Sequence, residues 1–375
     1  MKFDTQRVRP CGEIESLENA LKKITPSNKT IMKECIERWD GIAKPLRSLG
    51  TLEEAVVKIA GITENINVNI DKKALIIMCA DNGVVKENIT QTGSEVTAIV
   101  AENFTKRKAT VSIMAGVSKT DVFTVDIGIE RDMENSLDIN EEVLPFRILN
   151  RKISYGTRNL YLEPAMTQEQ TIAAIEVGIN LVKELKKKNY NIIATGEMGI
   201  GNTTTSSAIT SVLLNEPVEL VTGKGAGLSS SGLERKIHVI KESIKLNKPK
   251  VEDPIDVLSK VGGLDIAGLV GVFIGGATFK IPIVIDGFIS AVAALIAIRL
   301  EPLVIGYILP SHVSKEPAGE MVLNKLGLTP FINCGMFLGE GTGAIAVFPI
   351  LEMACNVYRD MSTFSEIHVE EYKQL

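Results

Sequence analysis

Aromatic side chains are scarce, making up 5% of the 375 residues with a single Trp. Histidine is scarcer still, at His238, His312 and His368. The five cysteines (Cys11, Cys35, Cys79, Cys334 and Cys355) are odd in number, widely scattered and form no CxxC. These shortages leave no basis for a disulfide framework or a His/Cys zinc site, and little with which to stack nucleic-acid bases. A basic excess is missing as well. Lys+Arg number 41 against 46 Asp+Glu, a formal charge of −5, whereas a phosphate-backbone footprint needs a basic patch. No apolar run approaches the ~20 residues of a bilayer span. Within the hydrophobic region from Gly262 to Pro310, the longest uncharged stretch, Ile266 to Phe279, has 14 residues. The opening MKFDTQRVRP lacks the apolar core of a secretory signal. The expectation is a soluble cytoplasmic protein with no metal, no cofactor, no nucleic-acid partner and no membrane.

What is present is glycine, 31 residues of it, within a chain that is 45% hydrophobic. At ~150 residues per domain the length allows one large α/β unit or two smaller ones. Short apolar runs alternate with amphipathic stretches. Ala74 to Ala80 (ALIIMCA) stops at Asp81-Asn82-Gly83 and reads as a strand; so do Val122 to Val125, Ile192 to Thr195, Ile283 to Ile285 and Leu303 to Ile308. Helices are expected from about Glu95, behind the Thr167/Gln170 capping box, behind Ser231 with Glu234, after Asp253-Pro254, and over Phe288 to Leu300. Ile172, Ile175, Ile179, Val182 and Leu185 give the second of these one apolar face. Residues 129–160 lack periodicity and read as a long crossing connection. The pattern predicts α/β class: a mainly parallel, doubly wound sheet with helices on both faces. The whole chain, 1–375, reads as one unit with a core over about 70–350. A small helical subdomain is expected from about 1–70, carrying Trp39, plus 350–375.

In such sheets ligands bind beyond the carboxyl ends of the strands, and here those ends repeatedly join glycine to an acid. After the Ile192 strand comes GEMGIGNTTT, Gly196 to Thr205, whose glycines let backbone N–H groups approach an anion and whose Asn/Thr residues open a helix. Its glycines are spaced GxxGxG, neither a dinucleotide fingerprint nor a P-loop, and the loop reads equally as a tight structural turn. Thr222 to Gly227 is a second glycine loop, with Lys236 on the helix beyond it. Alone, that lysine reads as a solvated helix residue. The third is GMFLGEGTGA, Gly335 to Ala344, where Glu340 sits between glycines in an apolar stretch. Desolvation there would raise its pKa toward that of a general base; the alternative is a solvated turn glutamate. Asp286, in VIDGF, reads as a ribose ligand or a helix cap, and His312 beside Ser311 as a satisfied loop histidine.

Six motifs in order, RKISYGTRNLYLEPAMT (151–167), GEMGIGNTT (196–204), GGLDIAGLVG (262–271), VIDGFISAVAALIA (284–297), SHVSKEP (311–317) and LGEGTGA (338–344), resemble the nicotinate-nucleotide–dimethylbenzimidazole phosphoribosyltransferase family of cobamide biosynthesis. The likeness spans about residues 50–355. It implies a Rossmann-like fold with a helical subdomain from both chain ends, usually as a homodimer. It also implies transfer of phosphoribose from nicotinate mononucleotide to an aromatic lower-ligand base. On this resemblance Glu340 is the general base and Glu197 lines the same site. Gly199, Ile200, Gly201, Asn202, Thr203, Gly225, Lys236, Asp286, Ser314, Leu338 and Gly339 bind the nucleotide, and Asn82, Thr90 and Met198 border the acceptor. The chain departs from the family pattern at Asn82 (usually His), across Asn88 to Gly93, at Ile99 (usually Gln), at Phe337 (usually Arg) and at Ala318-Gly319. Those departures suggest an acceptor other than dimethylbenzimidazole, such as the phenol or p-cresol used by a heterodimeric branch, or a half-site subunit that completes a paralogue.

Overall fold

The computed structural model describes residues 14–372 except Asn135 and Ala226. Cys11 and the N-terminal MKFDTQRVRP therefore lie outside the described residues. Helices α1 (Leu17–Lys23), α2 (Lys29–Gly41) and α3 (Thr51–Thr63) precede strand β1 (Lys73–Ala80). Then follow α4 (Glu95–Thr105), α5 (Thr110–Val117), β2 (Thr120–Gly128), β3 (Ile148–Asn150), α6 (Gln168–Lys187) and β4 (Ile192–Met198). The next stretch holds α7 (Asn202–Leu214), α8 (Val218–Val221), α9 (Ser230–Asn247), α10 (Pro254–Val261) and α11 (Leu264–Phe279). The last holds β5 (Ile283–Val284), α12 (Phe288–Leu300), β6 (Ile308–Leu309), α13 (Gly319–Leu326) and α14 (Thr342–Asp360).

All six strands pair in parallel, in the order β3-β2-β1-β4-β5-β6. The period-two geometry of β1 explains why its run is apolar throughout. Ala74, Ile76, Met78 and Ala80 enter one core with α6, α7, α11 and α12. Leu75, Ile77 and Cys79 enter the other, with α2 to α5 and α14. A strand covered on both faces has no solvent side on which to place polar residues. On the first face α6 and α11 cross closely because glycines meet: a Cβ on Gly178 or Gly271 would collide with the backbone of the facing helix. Gly271→Ala would overpack this crossing at a cost of ~1–3 kcal/mol.

The capping box of Thr167 and Gln170 is present, and Asp253 caps α10 with Pro254 at its start. Other expectations are corrected. Ser229, not Ser231, caps α9 by accepting from Gly232 N. Leu303 to Ile308 is mostly a 3₁₀ turn, Pro302–Tyr307, started by Glu301 and Pro302, and only Ile308–Leu309 pairs. The connection over 129–160 contains β3, a three-residue edge strand too short to show a period. The helix placed after Pro349 begins seven residues earlier, at Thr342, with Pro349 inside it.

The chain ends divide between the two faces. α2, α3 and α14 meet around Trp39 and Tyr358, whose ring centroids are 5.0 Å apart, and this cluster is continuous with Leu75 and Ile77 of the sheet. α1 lies across the molecule, where Leu17 N bonds Glu176 and Glu15 N bonds Asn180 of α6. Among the described residues, no helix is long and apolar enough to cross a membrane.

Candidate active site

From β1 the sheet grows outward in both directions, so its winding reverses between β1 and β4. At such a reversal the loops beyond the strand ends diverge and leave a crevice. A cavity of about 720 Å³ occupies it, bordered by the segments after β4, β5 and β6 and by the segment leading into α14. Of the residues expected at the site, Glu197, Met198, Gly199, Ile200, Gly201, Asn202, Thr203, Gly225, Lys236, Asp286, Ser314, Leu338, Gly339, Glu340 and Thr90 border this one space. Asn82 does not. Its Nδ2 donates to Ile200 O at 3.2 Å and so ties down the loop that forms the cavity floor. Ile99 is likewise absent from the wall and 49% exposed.

Glu340 is held in an unusual backbone. Gly339, Glu340 and Gly341 have φ of 82°, 63° and 95° in succession, a left-handed run that costs a non-glycine residue roughly 1 kcal/mol or more. Gly196 makes room for it, since a Cβ there would lie 2.5 Å from Glu340 O. Asp286 supplies the restraint. Its carboxylate accepts from Gly341 N at 3.0 Å, Gly343 N at 2.7 Å and Ala344 N at 3.2 Å. Asp286 thus caps α14, the helix that follows Glu340, and the alternative of a cap on α12 is replaced. Glu340 Oε2 is buried without a hydrogen-bond partner. Burial pushes its carboxyl up to about 7, against a backbone N–H of Val111, with the Asp286 charge adding to the rise. Glu340 is thus half-buried, with one carboxyl oxygen shielded from solvent.

Glu197 is 7% exposed at the end of β4. Burial, then the charges of Asp265 and Asp286, push it up to about 8, while a hydrogen bond from Asn202 opposes the rise. Lys236 is buried to 1%, not solvated; its Nζ donates to Thr203 Oγ1 at 2.8 Å and Gly223 O at 3.2 Å. Desolvation lowers it to about 8, and the charge of Glu316 raises it. A buried cation at a glycine loop, beside Thr203 at the start of α7, is the chemistry of a phosphate site, and Ser314 borders the same cavity. His312 is buried, shares a 3.1 Å hydrogen bond between its Nδ1 and Ser311 Oγ, and also borders the cavity.

Sequence reasoning missed the wall formed by Val96 and Val100 of α4 and Thr110 and Met114 of α5. Nothing distinguishes such residues from core in a sequence, and no motif would have found them. No cluster of metal-ligand type occurs among the described residues.

A family model described as phosphoribosyltransferase matches residues 24–369. A Clostridium acetobutylicum protein named nicotinate-nucleotide–dimethylbenzimidazole phosphoribosyltransferase is 48% identical over 96% of this chain and 99% of its own length. An Acetivibrio thermocellus protein of the same name is 48% identical over 95% and 99%. The crystal structure of the Thermus thermophilus protein of that name superposes with a TM-score of 0.84 at 30% identity, covering 92% of this chain and all of that one.

Proposed function

The chain belongs to the nicotinate-nucleotide–dimethylbenzimidazole phosphoribosyltransferase family, and from that premise we propose which of its residues run the reaction. As a member it is a glycosyltransferase of cobalamin biosynthesis that moves phosphoribose from nicotinate mononucleotide to a lower-ligand base. Lys236, Thr203, Ser314 and the Gly199–Gly201 turn take the donor's 5′-phosphate. Glu340 is the base. An acceptor nitrogen attacks the anomeric carbon, the bond to the pyridinium nitrogen breaks with its electron pair, and the acceptor proton passes to Glu340. Nicotinate leaves with its ring neutralised, so the leaving group needs no protonation. Glu197, neutral near pH 7, places no second negative charge beside Glu340 and offers its acid proton as a hydrogen bond.

The observation that carries this reading is the strained left-handed setting of Glu340, held open by two glycines and tied down by Asp286. A turn that only needed to reverse the chain would not keep a glutamate there. Glu340→Gln should lower kcat for nicotinate release by roughly 10²- to 10⁴-fold with the circular dichroism unchanged; comparable turnover would remove Glu340 from the role.

The acceptor is proposed to be a planar aromatic base of the benzimidazole kind, seated between the donor and the wall of Val96, Val100, Met114 and Met198. Of the substitutions that suggested another acceptor, Ile99 does not border this wall, whereas Thr90 and Phe337 border the cavity. A screen of benzimidazoles against phenol and p-cresol tests the choice. Both carboxylates border one cavity of one chain, which favours an enzyme active by itself over a half-site subunit. A cytoplasmic homodimer completes the reading, and light scattering at twice the 40.7 kDa chain mass checks the dimer.

A further inference from the structure

Asp265 is completely buried, although the reaction assigned to the cavity makes no use of it. It stands in the first turn of α11, but the N-cap there is Gly263, and the backbone N–H groups that serve the Asp265 carboxylate are those of its own residue and of Ile266, the latter at 2.9 Å from Oδ1. Among the described residues no Lys or Arg neutralises it. A carboxylate so placed is unfavourable, and these two local N–H groups do not account for it. Two separate loops leave side chains out to house it. A Cβ on Gly199 would lie 2.7 Å from Asp265 Oδ2, and one on Gly263 would lie 2.6 Å from Oδ1.

Its second oxygen points to the site. Asn202 Nδ2 donates to Asp265 Oδ2 at 3.1 Å and also to Glu197 Oε2. One amide nitrogen therefore serves two buried carboxyl groups, one on the cavity floor and one behind it. We propose that Asp265 is a positioning residue for phosphoribosyl transfer, which fixes the Asn202 amide and, through it, the orientation and charge state of Glu197. The proposal rests on the reading of the cavity given above.

The groups around Glu197 define what the arrangement does. Asp265 faces it from α11, Asp286 from the end of β5, Glu340 from the lead into α14, and Cys79 from the neighbouring strand β1. Asp81 faces Asp265 in turn, and His312 stands beside Asp286. Burial and the charges of Asp265, Asp286 and Glu340 raise the pKa of Glu197, and the hydrogen bond from the Asn202 amide opposes the rise. Asp265 thus acts on Glu197 in two ways. Its charge favours the neutral acid, and its oxygen holds the amide that restrains that shift.

These two effects separate by substitution, read in the pH profile of kcat/KM for nicotinate release from nicotinate mononucleotide. Asp265→Asn keeps an acceptor oxygen for Asn202 and removes the charge. It should move the alkaline limb to lower pH by about one unit, as loss of a like charge at close range does. Asn202→Ala leaves the Asp265 charge and removes the bridge, and should move the same limb to higher pH. Loss of melting temperature or of kcat in both variants, with the limb where the wild type has it, would make Asp265 purely structural and overturn the proposal. If Asp265→Asn does not fold, Asn202→Ala decides alone, since an unmoved limb in that variant equally defeats the bridge. The wild-type profile is the control: a wild type that releases no nicotinate sinks the functional reading itself, whereas an active wild type with unmoved variants sinks only this inference.

Discussion

The cavity has two walls made in opposite ways. One is polar and built where strands end and helices begin, with a lysine reaching in from α9: Glu197, Asn202, Thr203, Lys236 and Glu340, with Asp286 behind them. The other is apolar and built from the sides of α4 and α5: Val96, Val100 and Met114. The polar wall gives up stability to place charge, burying a lysine to 1% and holding a glutamate at φ 63°. The apolar wall gives up none, because valine and methionine on a half-covered helix would be stable without any ligand. The contrast teaches that the specific chemistry of the donor is written in strained, individually destabilising residues, while an aromatic acceptor needs only shape and dryness.

Substitutions on each wall should therefore separate in kinetics. Lys236→Met removes a buried charge that makes hydrogen bonds, each worth about 1.5–3 kcal/mol when charge-assisted. It should raise the KM for nicotinate mononucleotide by roughly ten- to a hundredfold, with little change in the acceptor KM. Equal effects on both would break the division. Met114→Ala on the other wall should raise the acceptor KM by roughly three- to tenfold through lost apolar contact, leaving the donor KM in place. Initial rates with each substrate varied in turn give both answers.

The stability cost of the polar wall can be read separately. Burial raises Glu197 to about 8 from an ordinary value of 4.5, so the native state holds its proton more tightly than the unfolded chain. Its contribution to stability is fully present below the unfolded pKa and is lost as pH rises through the folded one. Glu197→Gln cannot ionise, so its melting temperature should gain on the wild type between about pH 5 and about pH 9. A gap that is constant with pH would mean that Glu197 carries no such cost.

The same contrast explains what the sequence disclosed. The polar wall was legible through the family pattern, whose six ordered motifs carry Glu197, Asn202, Thr203 and Glu340; alone, the glycine loops read equally as tight turns. Lys236 was legible only through the family pattern, since its burial depends on the loop at Gly223 that folds over it. Val96, Val100 and Met114 were silent, as a residue facing a ligand and one facing a core obey the same hydrophobic rule. In the fold, β1, β2, β4, β5 and α12 were evident from their apolar runs. β3, and the Ile308–Leu309 pairing that was read as part of a longer strand, span only two or three residues, which is too short for a period of two to declare itself. Asn82 sits at the strand end its motif predicts, with its amide donating to the backbone of Ile200.

The bonds from Asp286 to the first turn of α14 reach beyond catalysis. The last turn of that helix carries Tyr358, tilted against Trp39, and just past it Ser362 O accepts from Ala43 N. The last long helix of the chain is thus pinned at one end by the site and at the other by the N-terminal helices. Opening of this helix and displacement of Glu340 become one local-unfolding event, so slow amide exchange along α14 would report how much of the time the enzyme holds its base in working position.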